Sequence, residues 1–367
     1  MIYQNDNRIV LTLDAGGTNF VFSAIQNYQE LIEPIRLTAI TDNTELCLQV
    51  LVDGFTRVIN QLEEQPVAIS FAFPGPADYE HGIIGDLPNF PSFRGGVALG
   101  PFLAEKFGIP VFINNDGNLF AYGEALAGSL PAINNLLASH GCNKRYKNLI
   151  GITLGTGFGA GVVINGNLLT GDNGCGGDLW IMRNKRYPNL IAEESVSIRA
   201  ILRVYAELAQ TDASRLTPKD IFDIAEGVKT GNQQAAIAAF EELGEMAGAA
   251  IVNALNIVDG LVVIGGGVAG AAKYIMPALM REMKAQIRTL AGDSFHCLQT
   301  DIYDLTNADE LSEFLKEKDT FIQVPMSNTR VRYSCDKKIG VTVSELGASR
   351  AIALGAYTFA LAQLDNN

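Results

Sequence analysis

Asp116 sits in the segment Asn114-Asn115-Asp116-Gly117-Asn118, between an apolar run and a stretch of helical character. A carboxylate at such a junction serves one of two ends. It caps the following helix, since Asp is a favoured N-cap residue, or it accepts a hydroxyl proton, as phosphoryl transfer to an alcohol requires. Asn115 beside it offers both a donor and an acceptor, which suits a polyol. A glycine turn, Asp14-Ala15-Gly16-Gly17-Thr18-Asn19, lies far upstream. Glycines let a backbone turn tightly and bring N–H groups close to an anion. Thr18 adds a hydroxyl, and Asp14 suits a hydrated Mg²⁺ beside a triphosphate. An ordinary hairpin turn accounts for the same residues.

A second glycine turn reads Gly155-Thr156-Gly157-Phe158-Gly159-Ala160-Gly161. A dinucleotide fingerprint of this composition opens a helix. Here Val162-Val163-Ile164-Asn165-Gly166 follows, a strand and then a turn, so that reading is rejected, and no P-loop pattern occurs. Two hairpin-type glycine turns suit a cleft that grips a triphosphate from both sides. A third element, Gly265-Gly266-Gly267-Val268, follows a buried run and opens a helix. Bare glycine there serves the approach of a flat ring or ribose, or close helix–strand packing.

The elements that must carry these stretches alternate in type. Apolar runs at 9–13 and 20–25 flank the first glycine turn as strand, turn, strand. Residues 45–64 place Leu46, Val50, Leu51, Val58, Ile59 and Leu62 on one helical face. Strands are expected at 67–73, stopped by Pro74-Gly75-Pro76, and at 111–114, with a helix over 118–127. The second half opens alike, with a strand at 149–154, the glycine turn at 155–161 and a returning strand at 162–164. This unit recurs after about 140 residues, which suggests two related domains. Helices are expected over 233–256, 273–290 and 344–364, with a strand at 261–264. The polar stretch 291–330 reads as an irregular surface insertion. The alternation indicates an α/β chain.

Its 367 residues leave room for about two domains, and 48% of them are apolar. With 27 Lys and Arg against 40 Asp and Glu, the net charge is −13. Such a chain repels a phosphate backbone, so no nucleic-acid partner is expected. Cys47, Cys142, Cys175, Cys297 and Cys335 are scattered, as are His81, His140 and His296. They form neither a disulfide framework nor a cysteine zinc site. No signal-peptide pattern opens the chain, and no apolar run is long enough for a bilayer. The expectation is a cytoplasmic protein with no membrane partner.

Together the motifs resemble those of the ROK family of sugar kinases (repressors, open reading frames and kinases), within the actin-like/hexokinase ATPase superfamily. Asp14-Ala15-Gly16-Gly17-Thr18 is similar to the family's first phosphate motif, and residues 155–161 to its second. Pro74-Gly75-Pro76 with Gly82 and Leu87-Pro88-Asn89 is similar to the sugar-side loop. Asn115-Asp116 with Ala121, Gly123 and Glu124 is similar to the segment of the catalytic aspartate. Gly265-Gly266-Gly267 matches the adenosine motif, and Leu346-Gly347 with Gly355-Ala356 the C-terminal helix. The resemblance runs from about residue 9 to residue 362.

It implies two ribonuclease-H-like domains around a central cleft: a smaller one of residues 1–124 with the helix 346–367, and a larger one of residues 125–345. It implies ATP and Mg²⁺, and a hexose, glucose or a related aldohexose, phosphorylated at the 6-hydroxyl with Asp116 as general base. Gly75, Asn89, Asn115, Asp116, Asp178 and Glu193 would then bind sugar. Asp14, Gly16, Gly17, Thr18, Asn19, Gly155, Thr156, Gly157, Gly159, Gly266 and Gly267 would bind nucleotide. A homodimer is implied as well. The alternatives are an N-acetylhexosamine kinase, a non-catalytic sugar sensor, and another ATPase of the superfamily.

Two departures stand out. Where the family has Gly-Glu-x-Gly-His and then a zinc-binding cysteine cluster, this chain has Gly177-Asp178-Leu179-Trp180-Ile181 with Cys175 alone nearby. A zinc-less branch is expected, with Trp180 as the substitute anchor. Glu193 falls where a second sugar-binding glutamate belongs, with Glu194 as its rival. Only 13 residues precede Asp14, so no helix-turn-helix domain is expected ahead of it.

Overall fold

The computed structural model describes residues 2–16, 18–85, 93–317, 319–334 and 336–366. The expectations on Gly17 and on Leu87-Pro88-Asn89 lie outside the described residues. The chain forms two compact units. The first comprises Met1–Pro131, Gly161–Gly177 and Glu345–Asn367, and the second Ala132–Ala160 and Asp178–Ser344.

In chain order come β1 (Val10–Ala15), β2 (Asn19–Gln26), β3 (Gln29–Glu30), β4 (Ile35–Thr38), α1 (Thr44–Ile59), β5 (Ala68–Ala72), β6 (Ala77–Asp78), β7 (Ile83–Ile84), α2 (Leu99–Phe107), β8 (Val111–Asn114) and α3 (Asp116–Leu126). Then follow α4 (Ser129–Ser139), β9 (Leu149–Leu154), β10 (Phe158–Ile164), β11 (Asn167–Leu168), α5 (Ile198–Ala209), α6 (Pro218–Ala225), α7 (Gln233–Val258), β12 (Leu261–Gly265) and α8 (Ala272–Met283). The last are β13 (Gln286–Arg288), β14 (Ser294–His296), β15 (Asp301–Asp304), α9 (Ala308–Phe314), β16 (Asp319–Gln323), β17 (Arg330–Ser334), β18 (Lys338–Val343) and α10 (Ala348–Asn366).

The first unit is built on a sheet of order β3-β2-β1-β5-β8, with β4 on β2. β2 runs antiparallel to β1, whereas β5 and β8 run parallel to it and to each other. Successive side chains leave opposite faces. Leu11, Leu13, Ile69 and Phe71 therefore enter one core with Cys47, Leu51, Phe55 and Val58 of α1. Val10 and Ala68 enter another with Leu354, Tyr357 and Leu361 of α10. α1 starts at Asn43, whose side chain accepts from the Leu46 N–H. It stops at Ile59, short of the expected residue 64. Gln61 and Leu62 bond back only three residues, and Pro66 disfavours a helical residue before it.

α3 and α10 cross where neither has a side chain. A Cβ on Gly123 would stand 1.9 Å from the Ala351 carbonyl oxygen, and one on Gly355 would stand 1.8 Å from that of Leu119. The motif glycines 123 and 355 are thus a backbone-to-backbone contact that seats α3.

In the second unit β12 runs parallel to β9, β18 parallel to β12, and β15 parallel to β18. β10 lies beside β9. The order β10-β9-β12-β18 repeats β2-β1-β5-β8, so the recurring motif of the sequence is a recurring sheet topology. α7 and α8 also cross at glycine, where a Cβ on Gly244 would stand 2.3 Å from the Ile275 carbonyl oxygen. The stretch read as an irregular insertion is ordered: it holds β15, α9 and parts of two hairpins, β13–β14 and β16–β17. The helix expected to residue 290 ends at Met283, because the chain turns there into β13.

Candidate active site

In the first unit Asp14 is level with Ala72, and Ala72 with Asn114, across three parallel strands. The β1–β2 turn, the loop through Gly75 and the Asn115-Asp116 pair therefore leave the same carboxyl edge, where open α/β sheets bind ligands. Asp14 and Thr18 are exposed, and Asn19 Nδ2 donates to Thr18 Oγ1 at 3.3 Å. A Cβ on Gly16 would stand 2.9 Å from the Asn19 carbonyl oxygen, so the tightness of the turn itself demands glycine. Gly75 is braced from below: the Tyr79 hydroxyl donates to the Phe73 carbonyl at 2.9 Å.

The two roles left open for Asp116 separate here. Asn115 caps α3, its Oδ1 accepting from the Asn118 N–H at 2.6 Å. Buried Asn114 fixes the junction, its Oδ1 accepting from the Asn115 N–H and from Asn118 Nδ2, both at 2.9 Å. Asp116 is the first helical residue, and its Oδ1 accepts from the Gly117 N–H at 2.9 Å. It is exposed at the surface, although neighbouring groups crowd its carboxylate. The water lost to that crowding raises its pKa above the ordinary aspartate value, with the Gly117 N–H opposing. A raised carboxyl is better matched to taking a hydroxyl proton. Gly161 of β10 keeps this helix start in place, since a Cβ there would stand 2.5 Å from the Gly117 carbonyl oxygen.

In the second unit the glycine turn is shorter than expected. It spans Gly155, Thr156 and Gly157, closed by the Gly155 N–H on the Gly157 carbonyl at 3.1 Å, and β10 begins at Phe158. Gly159 and Gly161 are strand residues, Gly161 with no room for a side chain, and periodicity does not distinguish them from turn glycines. Gly265 is level with Thr153, so Gly266-Gly267 and this turn leave neighbouring strand ends. The two glycines differ. Gly266 has φ +93°, and a Cβ would stand 2.3 Å from the Leu154 carbonyl oxygen; at Gly155 and Gly267 nothing lies within 4 Å. Gly266 answers the demand of packing, while Gly155 and Gly267 leave open surface.

Glu193 lies beside the turn. Its Oε2 accepts from the Phe158 N–H at 3.0 Å, and its Oε1 accepts from Arg199 Nη2 at 3.3 Å. Glu194 is exposed and reaches the same arginine at 3.4 Å. Asp178 is half-buried, which raises its pKa, with the Trp180 side chain acting the other way. Trp180 is 37% exposed and does not anchor its segment as expected. Asn184 does so, although the sequence carries no signal for it. This side chain, 1% exposed, donates to Ser195 Oγ at 2.9 Å and accepts from the N–H groups of Arg186 and Tyr187. Arg186 in turn pairs with Glu242 and Glu245 of α7. Among the described residues no three His, Cys, Asp or Glu side chains gather as metal ligands, and no helix is long and apolar enough to cross a membrane.

Comparison with known proteins gives a consistent result. The ROK family model matches residues 10–300. A crystal structure of a glucokinase from Parabacteroides distasonis is 61% identical, with a TM-score of 0.89 over 98% of this chain and 99% of that one. A glucokinase of Thermotoga maritima is 31% identical over 171 residues, 46% of this chain and 49% of that protein. An N-acetyl-D-glucosamine kinase of Photobacterium profundum is 30% identical over 166 residues, 45% of this chain and 50% of that protein. These last two matches span about half the length of each relative.

Proposed function

The chain belongs to the ROK family, its fold the paired α/β domains of the actin-like/hexokinase superfamily, and from that premise we propose that it transfers the terminal phosphoryl group of ATP to the 6-hydroxyl of a hexose, glucose or a related aldohexose. The observation that carries this reading is the sheet edge of the first unit. Asp14 at the end of β1 and Asp116 at the start of α3, just past β8, leave this edge with β5 between their strands, and Asn115 releases Asp116 from capping duty.

Asp116 takes the hydroxyl proton as the phosphoryl group arrives. Asn115 has its oxygen committed to the cap and offers its amide N–H₂ to a sugar oxygen. The open glycines 155 and 267 leave backbone accessible to the nucleotide, and Thr18 and Thr156 add hydroxyl donors. Asp14, an exposed hard-oxygen ligand, fits the hydration shell of Mg²⁺, which neutralises charge on the phosphates when bound. Asp178, in the second unit, is a further candidate for a hexose hydroxyl by the family resemblance. The functional domains of this reading are residues 1–124 with 346–367, and residues 125–345. It also makes the protein a cytoplasmic homodimer, a state that light scattering on the purified protein checks.

The test is ADP release across a panel of hexoses. Release dependent on glucose or mannose is expected, and its absence for every hexose overturns the reading. The Photobacterium relative favours a second reading, an N-acetylhexosamine kinase, which a preference for the acetylated sugars in the same panel would establish.

A further inference from the structure

We propose that Glu193 is a positioning residue of the nucleotide site, holding the Gly155–Gly157 turn rather than serving the sugar alone. The inference rests on the kinase reading and extends it. A turn of two glycines and a threonine has many conformations open to it, and fixing them costs entropy. Its internal closure is the single Gly155–Gly157 hydrogen bond. Two outside contacts complete the restraint. The Ile198 N–H donates to the Gly155 carbonyl at 3.0 Å, and Glu193 Oε2 accepts from the Phe158 N–H at 3.0 Å. The first ties the turn to the start of α5, and the second to the short 3₁₀ turn Ala192–Glu194.

The glycine at 157 records the same contact. A Cβ there would stand 2.5 Å from Glu193 Oε2, so residue 157 lacks a side chain to make room for this carboxylate. Arg199 holds the other oxygen at 3.3 Å, which fixes the carboxylate plane. The carboxylate still has acceptor capacity for a ligand. An acceptor-side role for Glu193 would then act on the turn through the same group.

The experiment is titration with a non-hydrolysable ATP analogue in the absence of sugar, together with kinetics for both substrates. Glu193→Ala removes an acceptor from a charge-assisted bond, so analogue affinity is expected to fall at least about tenfold. Glu193→Gln keeps an acceptor oxygen and is expected to retain most of the affinity. Gly157→Ala displaces the carboxylate and is expected to weaken the wild-type protein, but to add little in the Glu193→Ala background. Unchanged analogue affinity in Glu193→Ala, with loss confined to the hexose KM, overturns the proposal. Should that variant fail to fold, unchanged affinity in Gly157→Ala overturns it equally. If the wild-type protein binds no nucleotide, the kinase reading fails first, and the two failures are distinguished before any variant is made.

Discussion

Asp116 and Asn115 divide the work that either could have done alone. Both are favoured N-cap residues, so their order in the sequence does not say which one caps. The structure gives the cap to Asn115 and leaves Asp116 with a raised pKa. A carboxyl whose pKa is higher folded than unfolded is ionised at a cost near neutral pH. That cost shrinks as pH falls through the folded value and vanishes below the unfolded one. Asp116→Asn removes it. Turnover is expected to drop by about 10²–10⁴, hexose affinity to change far less, and the melting temperature near neutral pH to hold or rise, with the advantage fading in acid. Turnover near wild type would take Asp116 out of the role. The acid limb of the wild-type rate profile is expected above the ordinary aspartate pKa of about 3.9. Asn115 offers a complementary test. Asn115→Ser keeps a capping oxygen and loses the amide, so hexose KM should rise with stability preserved, whereas Asn115→Ala should also cost about 1 kcal/mol of stability. Equal stability losses in both would mean that the side chain acts only on the helix.

At the scale of elements, glycine placement decides more than hydrophobic pattern does. Gly123→Ala and Gly355→Ala each drive a methyl into a facing helix backbone. Backbone cannot step aside as a side chain can, so losses toward or beyond the upper end of about 1–3 kcal/mol are expected in denaturant unfolding. Gly266→Ala is expected to destabilise the fold through its φ of +93° and its contact with Leu154. Gly267→Ala should leave the fold intact and weaken nucleotide binding. If both melt alike, the distinction between packing and open glycine is wrong. The strands at 111–114 and 149–154 were legible at their full length, because these runs are too short for a helix and rich in β-branched residues. Beyond residue 283 the pattern misled. β15 has the sequence Asp-Ile-Tyr-Asp, polar enough to pass for loop, and only its pairing with β18 makes it a strand. Residues 158–161 were misread because a glycine in a strand looks the same as a glycine in a turn. Asn184 gave no sign at all, since its importance lies in partners as distant as residue 195.

For the whole molecule, each unit carries its own set of candidate residues, so the effects of substitution should separate. Asp116→Asn is expected to leave ATP-analogue affinity near wild type, and Glu193→Ala to lower it. Loss of nucleotide binding in both would mean that the sets are not separable. Metal analysis of untagged protein is expected to find well under one zinc per chain, with activity dependent on magnesium. About one zinc per chain, with activity abolished by chelation and restored by zinc alone, would overturn this.

The chain passes between its units four times, after Pro131, Ala160, Gly177 and Ser344. This has a consequence for biosynthesis. All residues of the second unit have been joined once Ser344 is added, yet α3 still lacks α10, which begins about 220 residues downstream of it. The unit that contains the N-terminal strands is therefore the last to mature. A chain ending at Ser344 and freed from the ribosome should already protect α7 from protease while leaving α3 open to cleavage, and only a chain that includes α10 should assemble the edge that holds Asp116.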